Sequence, residues 1–170
     1  MSGPALKELH AHRAIHDAAY GEAEELTGVF RHCVEEGRYD AALAAAELVV
    51  EHWHTRTLRH AAEEEAGFYR EVAEQHPNRS EDIAALVRDH DLMRQLVAEV
   101  EERLAISAVP TGTEESASRL ETLGAGVSNR RLEEMRIRFE MLLWLGERHS
   151  REEERRLLGV EEGRGVHELG

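Results

Sequence analysis

Cysteine is nearly absent from this chain of 170 residues, with one, and proline is scarce, with three. An intrachain disulfide needs two thiols, so Cys33 alone excludes one and fits a reducing compartment. A lone thiol is ordinarily a small buried hydrophobe, and Cys33 is read that way. Aromatic residues make up only 5% of the chain, β-branched residues are sparse, and Ala, Leu, Glu and Arg dominate. Local propensity therefore favours helix nearly throughout. No apolar run approaches the roughly 20 residues a membrane span needs, and the opening MSGPALKELHAHR lacks the apolar stretch of a signal peptide. A basic excess is missing too. With 21 Lys and Arg against 35 Asp and Glu the formal net charge is −14, which argues against nucleic acid and anionic membrane surfaces as partners. These absences predict a cytoplasmic all-α protein with one domain over residues 1–158 and a Gly-rich, flexible C-terminal tail over 159–170.

Heptad stripes place the helices. Over residues 5–36 one stripe carries Leu9, His12, His16, Ala19, Ala23, Leu26, Phe30 and Cys33, and EEGRYD supplies a break. From about Asp40 to His76 the inward positions are Leu43, Ala46, Val50, Trp53, Thr57, His60, Glu64 and Gly67, and Pro77 ends the run. A third helix carries Ile83, Val87, His90, Met93, Val97, Val100 and Leu104 and stops by Pro110; a fourth carries Leu132, Met135, Phe139, Leu142, Gly146, His149, Glu153 and Leu157. LGAGVSN at 123–129 reads as a break, which leaves residues 111–123 as a short extra helix between helices three and four. The expected architecture is an up-down-up-down four-helix bundle.

Three histidines stand four residues before a glutamate: His32 and Glu36, His60 and Glu64, His149 and Glu153. With 11 His and 30 Glu, about two such pairs arise by chance, so spacing alone decides nothing. Position decides. His32 lies off the stripe at a helix end and reads as solvated surface, whereas the other two pairs replace apolar residues on core stripes, as do His12, His16 and His90. Residues that meet in such a bundle are equally far from the loop joining their helices. His12 is 25 residues before the loop near residue 37, and His60 and Glu64 are 23 and 27 beyond it; Glu64 and His90 lie 14 and 12 residues from the turn near Asn78. The layer is thus common to all four helices. Buried carboxylates left unpaired cost several kcal/mol each. A metal-free layer of histidine–glutamate hydrogen bonds is one resolution, and metal is the stronger one. Two chelating His-x-x-x-Glu pairs with one histidine from each remaining helix suit a pair of redox metals about 3.5–4 Å apart. Iron leads, manganese follows, and zinc fits less well, because six protein groups exceed the four of a structural zinc site.

Taken in order, AHRAIHDAA, RHAAEEEAGFY, VRDHDLMRQL and RHSREEERRLL give the pattern H, HxxxE, H, HxxxE, and over residues 5–158 the chain resembles the hemerythrin-like family, the HHE cation-binding domains. The resemblance implies that His12, His60, Glu64, His90, His149 and Glu153 bind a non-heme, oxo- or hydroxo-bridged pair of iron ions, with His16 as a possible extra ligand. Oxygen-carrying hemerythrins have a second histidine four residues on in the third helix and an aspartate five after the last histidine. This sequence has Arg94, and Glu153 at four. The loss of a nitrogen ligand opens coordination positions, which turns the expectation from oxygen carriage towards binding of or reaction with oxygen, peroxide or nitric oxide, in redox, stress-response or sensing roles. The alternatives are an iron-sensing regulatory module without catalysis and a metal-free bundle. The same ligands serve the first two. Arg94 is read as a rim residue paired with a surface glutamate, with a buried anion beside the site as the alternative partner. Glu154 is the outward charge to watch; Glu63, Glu65 and Glu152 are read as outward, His52 and His54 as solvated, and Trp53, Phe68, Met93, Met135 and Met141 as packing.

Overall fold

The structure, a computed structural model, describes residues 9–107 and 117–158. Among these, six α-helices and no strand occur: α1 (Leu9–Glu35), α2 (Tyr39–Trp53), α3 (Arg59–Ala66), α4 (Phe68–Gln75), α5 (Ser80–Ser107) and α6 (Ala117–Glu153). A π-helical turn, His54–Leu58, joins α2 to α3, and another, Glu154–Leu158, extends α6. With α2 to α4 forming one composite rod, the described residues make four long helical rods. The first packs on the second and fourth, and α5 packs on the same two. This is a helical bundle. Helix α1 ends where Gly37 takes φ +68°; Arg38 N–H then bonds to the Cys33 carbonyl at 2.9 Å and Gly37 N–H to the Val34 carbonyl at 3.0 Å. Only glycine enters that left-handed region cheaply, so the EEGRYD break is a glycine C-cap.

The apolar stripes meet as expected. Phe30, Val49, Met93, Met135, Phe139 and Leu142 belong to one large core, and Phe30 meets Phe139 edge to face at 5.1 Å. A second, smaller core holds Phe68, Tyr69, Leu86 and Leu157. Along α5 and α6, and from α3 into α4, the residues between these cores are the polar ones. Cys33 is buried, as read. Met141 is not packing, because it is 49% exposed.

Two expectations about the helices fail. LGAGVSN does not break the fourth helix; α6 runs unbroken for 37 residues across it. Glycine in a helix costs only about 1 kcal/mol relative to alanine, and no proline stops the run. The separate short helix over 111–123 is therefore corrected for its part from Ala117 onward, and residues 111–116 lie outside the described residues. The second helix is not continuous, because it kinks at Gly67 (φ −123°, ψ −82°). Residues 159–170, expected as the tail, also lie outside the described residues. Among those described, no helix is long and apolar enough to cross a membrane.

Candidate metal centre

The polar layer is assembled from α1, α3, α5 and α6. His12 and His16 come from α1, His60 and Glu64 from α3, His90 from α5, and His149 and Glu153 from α6. Both chelating pairs adjoin a π-helical turn, one just before His60 and one just after Glu153. Such turns insert a residue into the ladder and re-aim the side chains beyond it, and they recur at functional sites.

Within the layer the imidazoles present Nε2 to one another and to the two carboxylates. Glu64 Oε1 lies 2.8 Å from both His12 and His60 and 3.5 Å from His16, while its Oε2 lies 3.5 Å from His90. One carboxylate thus spans two clusters of nitrogens. Glu153 Oε2 lies 3.2 Å from His12, 3.6 Å from His16 and 3.9 Å from His149. The nitrogens also approach in pairs, His16 and His60 at 3.1 Å and His90 and His149 at 2.9 Å. All six residues expected as ligands, and His16, are therefore brought together. Two groups could each hold a metal ion: His12, His16, His60 and Glu64 form one, and Glu64, His90 and His149 the other, each with ligand atoms within 4.8 Å.

The layer is costly without a cation. Glu64 and Glu153 are fully buried, yet Glu64 Oε2 and both oxygens of Glu153 lack hydrogen-bond partners. Their negative charge falls back on protons. Burial works against the His12 imidazolium, but the Glu153 and Glu64 carboxylates facing its Nε2 outweigh it and push its pKa up to about 10. Burial likewise works against the Glu64 carboxylate, and hydrogen bonds from His12, His16 and His60 hold it well below the usual carboxylate range. His90 shifts the other way, lowered by burial and by the neighbouring His149. A divalent ion in the layer would supply the same positive charge without a buried imidazolium. Its donor set of imidazole nitrogens and carboxylate oxygens fits iron, manganese or zinc.

Two sides of the layer differ. On one side Tyr69 stacks on His90, and Phe68 packs by His12 with ring centroids 6.3 Å apart. Behind the candidate ligands there, Glu65 Oε1 accepts from His90 Nδ1 at 2.8 Å and from Arg94 at 2.7 Å, and Asp89 Oδ2 lies 3.8 Å from His149 Nδ1. On the other side a cleft of about 810 Å³ reaches His16 and His60, with Ala14, Ala19, Trp53 and Gly146 among its walls. His16 and His60 are each 13% exposed through their side chains, against 3% or less for the other five.

Some outward readings need correction. Glu65 reaches back to His90, so it supports a candidate ligand. Arg94 agrees with its rim reading: it pairs with this half-exposed Glu65 and with Asp91, and the alternative of an anion within the layer falls away. His52 is not solvated: it is 7% exposed, and its Nε2 hydrogen-bonds the Ala19 carbonyl at 2.9 Å. Glu154 pairs with Arg13 on the cleft rim, Glu63 with Arg59, and Glu152 with Arg155 and Arg156. His32 and Glu36 form an exposed pair at 3.2 Å, as read. Asp89 and Tyr69 were missed. Asp89 directly precedes a stripe histidine, which was the signal available for it.

No protein-family model matches the chain, and no curated protein or solved structure matches it.

Proposed function

We propose that this chain is a non-heme di-iron protein, hemerythrin-like in its arrangement, that binds or reacts with a small ligand of the oxygen, peroxide or nitric oxide class. The observation that carries the reading is Glu64, whose two oxygens belong to two different nitrogen clusters within one buried layer. His12, His16 and His60 would hold one ion, His90 and His149 the other, with Glu64 shared and Glu153 alongside. When bound, such a pair supplies exchange of electrons and Lewis acidity at adjacent positions. The chain's own residues do the rest. Tyr69, Phe68 and the small core exclude water from one side, while the cleft at His16 and His60 gives a small reactant its way in. Resemblance to the hemerythrin-like family selects iron over manganese and zinc. An oxygen-carrier role is disfavoured by the third-helix arginine, because Arg94 lies on Glu65 and offers no nitrogen ligand.

Metal analysis of the chain produced with iron available tests this directly. Close to two iron ions per chain are expected, with near-ultraviolet bands of a bridged ferric pair. Fewer than one transition metal of any kind per chain after careful reconstitution would leave only the metal-free polar layer.

A further inference from the structure

On an unbroken helix Tyr69 would point about 140° away from Glu64, five residues on at 100° each. The turn at Gly67 changes that. Tyr69 is 2% exposed, and its ring lies nearly parallel to His90, at 7° with centroids 5.8 Å apart. The stack fixes where the phenol points. Its hydroxyl has no hydrogen-bond partner, and neither has either oxygen of Glu153. Tyr69 packs in one cluster with Leu157, four residues beyond Glu153 on the same helical rod, which makes the two unpartnered groups neighbours. A phenol carries its proton at neutral pH, so it meets the Glu153 carboxylate as a donor. An orphaned donor and an orphaned acceptor, both buried, are thus adjacent, and each is costly to leave unpaired.

We propose that Tyr69 is a positioning residue for the metal centre, its phenol O–H donating to the Glu153 oxygen that a metal ion leaves free. The role rests on the di-iron reading above. A carboxylate held in this way offers one oxygen and not two, which keeps the neighbouring coordination position open for the small ligand. His90 enters by fixing the ring, and Glu153 by accepting the hydrogen bond. The proton stays on the phenol.

Tyr69→Phe keeps the stacked ring and removes only the hydroxyl, and Tyr69→Leu removes both. With ferrous ion titrated against a chelator, Tyr69→Phe is expected to bind about 10–100-fold more weakly than the parent chain, and its iron-loaded spectrum should shift. Parental affinity and spectrum in Tyr69→Phe, with loss only in Tyr69→Leu, would show mere packing and overturn the proposal. A double-mutant cycle with Glu153→Gln, read by denaturant unfolding of the metal-free chain, probes the contact without any metal. The two changes should fail to add by about fivefold or more in the unfolding constant; additive effects overturn the proposed bond. If the parent chain takes up no metal, the di-iron reading falls and the positioning role falls with it, while the cycle still decides whether the bond exists.

Discussion

The two sides of the polar layer use the same donors in different settings. On the His90 and His149 side each imidazole has a carboxylate behind it, Glu65 for His90 and Asp89 for His149, and Tyr69 closes the space beyond. On the His16 and His60 side the imidazoles border the cleft. Outer carboxylates fix the tautomer and orientation of a ligating histidine and raise its basicity, so under the proposed metal reading the closed side would hold an ion firmly. The cleft side would then admit the small ligand. Glu64 couples them, since its oxygens belong to both.

Breaking that coupling has the largest expected effect. Glu64→Ala removes the carboxylate that belongs to both clusters, and metal content is expected to fall from near two ions per chain to less than half an ion. Retention of two ions would place the shared ligand elsewhere. Next in size, the sides should respond unequally. His149→Ala should cost one ion, whereas His16→Ala should leave the content near two and alter the affinity of an added anion such as azide. If His16→Ala empties the site and His149→Ala leaves it filled, the closed side is not the anchor. His12→Ala should resemble the first case, because His12 touches both carboxylates. A smaller effect comes from stripping the metal. An ion present at a hundredfold over its dissociation constant stabilises by about 2.7 kcal/mol, so chelation should lower the melting temperature clearly; an unchanged melting curve after confirmed metal loss favours the inert layer.

The bundle and its inner layer were legible because both depend on periodicity and on equal distance from loops. His12, His60, Glu64, His90, His149 and Glu153 replace apolar residues on stripes whose pattern fixes orientation, and counting along the helices fixes level. The illegible parts depend on departures from the ideal helix. Tyr69 lies on the wrong face until the chain kinks at Gly67, and the heptad reading took Gly67 for one more inward position. His52 reaches a backbone carbonyl of α1, a contact that no spacing encodes. The false break at LGAGVSN came from weighting two glycines too heavily, since a long helix absorbs a cost of about 1 kcal/mol for each.

The last expected effect concerns pH and separates the metal-loaded from the metal-free chain. In the metal-free protein the buried negative charge of the layer is balanced by the proton on His12, whose pKa rises from its ordinary 6.5 to about 10. A group whose folded pKa lies above its unfolded value contributes stability that is complete below the unfolded pKa and is lost as pH rises through the folded one. For His12 that window runs from 6.5 to about 10. Glu64 is lowered, so its share is present above its ordinary 4.5 and is lost on acidification. His12 and Glu64 share one interaction, which counts once. The metal-free chain should therefore lose stability steadily between pH 7 and 10, with a slope of at most about 1.4 kcal/mol per pH unit for one proton. In the metal-loaded chain the ion supplies the charge in place of the proton, and the same interval should be nearly flat. Denaturant midpoints of both forms across the interval check this. Parallel alkaline declines would mean that the ion and the His12 proton do not compete for one place, and that the positive charge the layer needs is supplied from outside it.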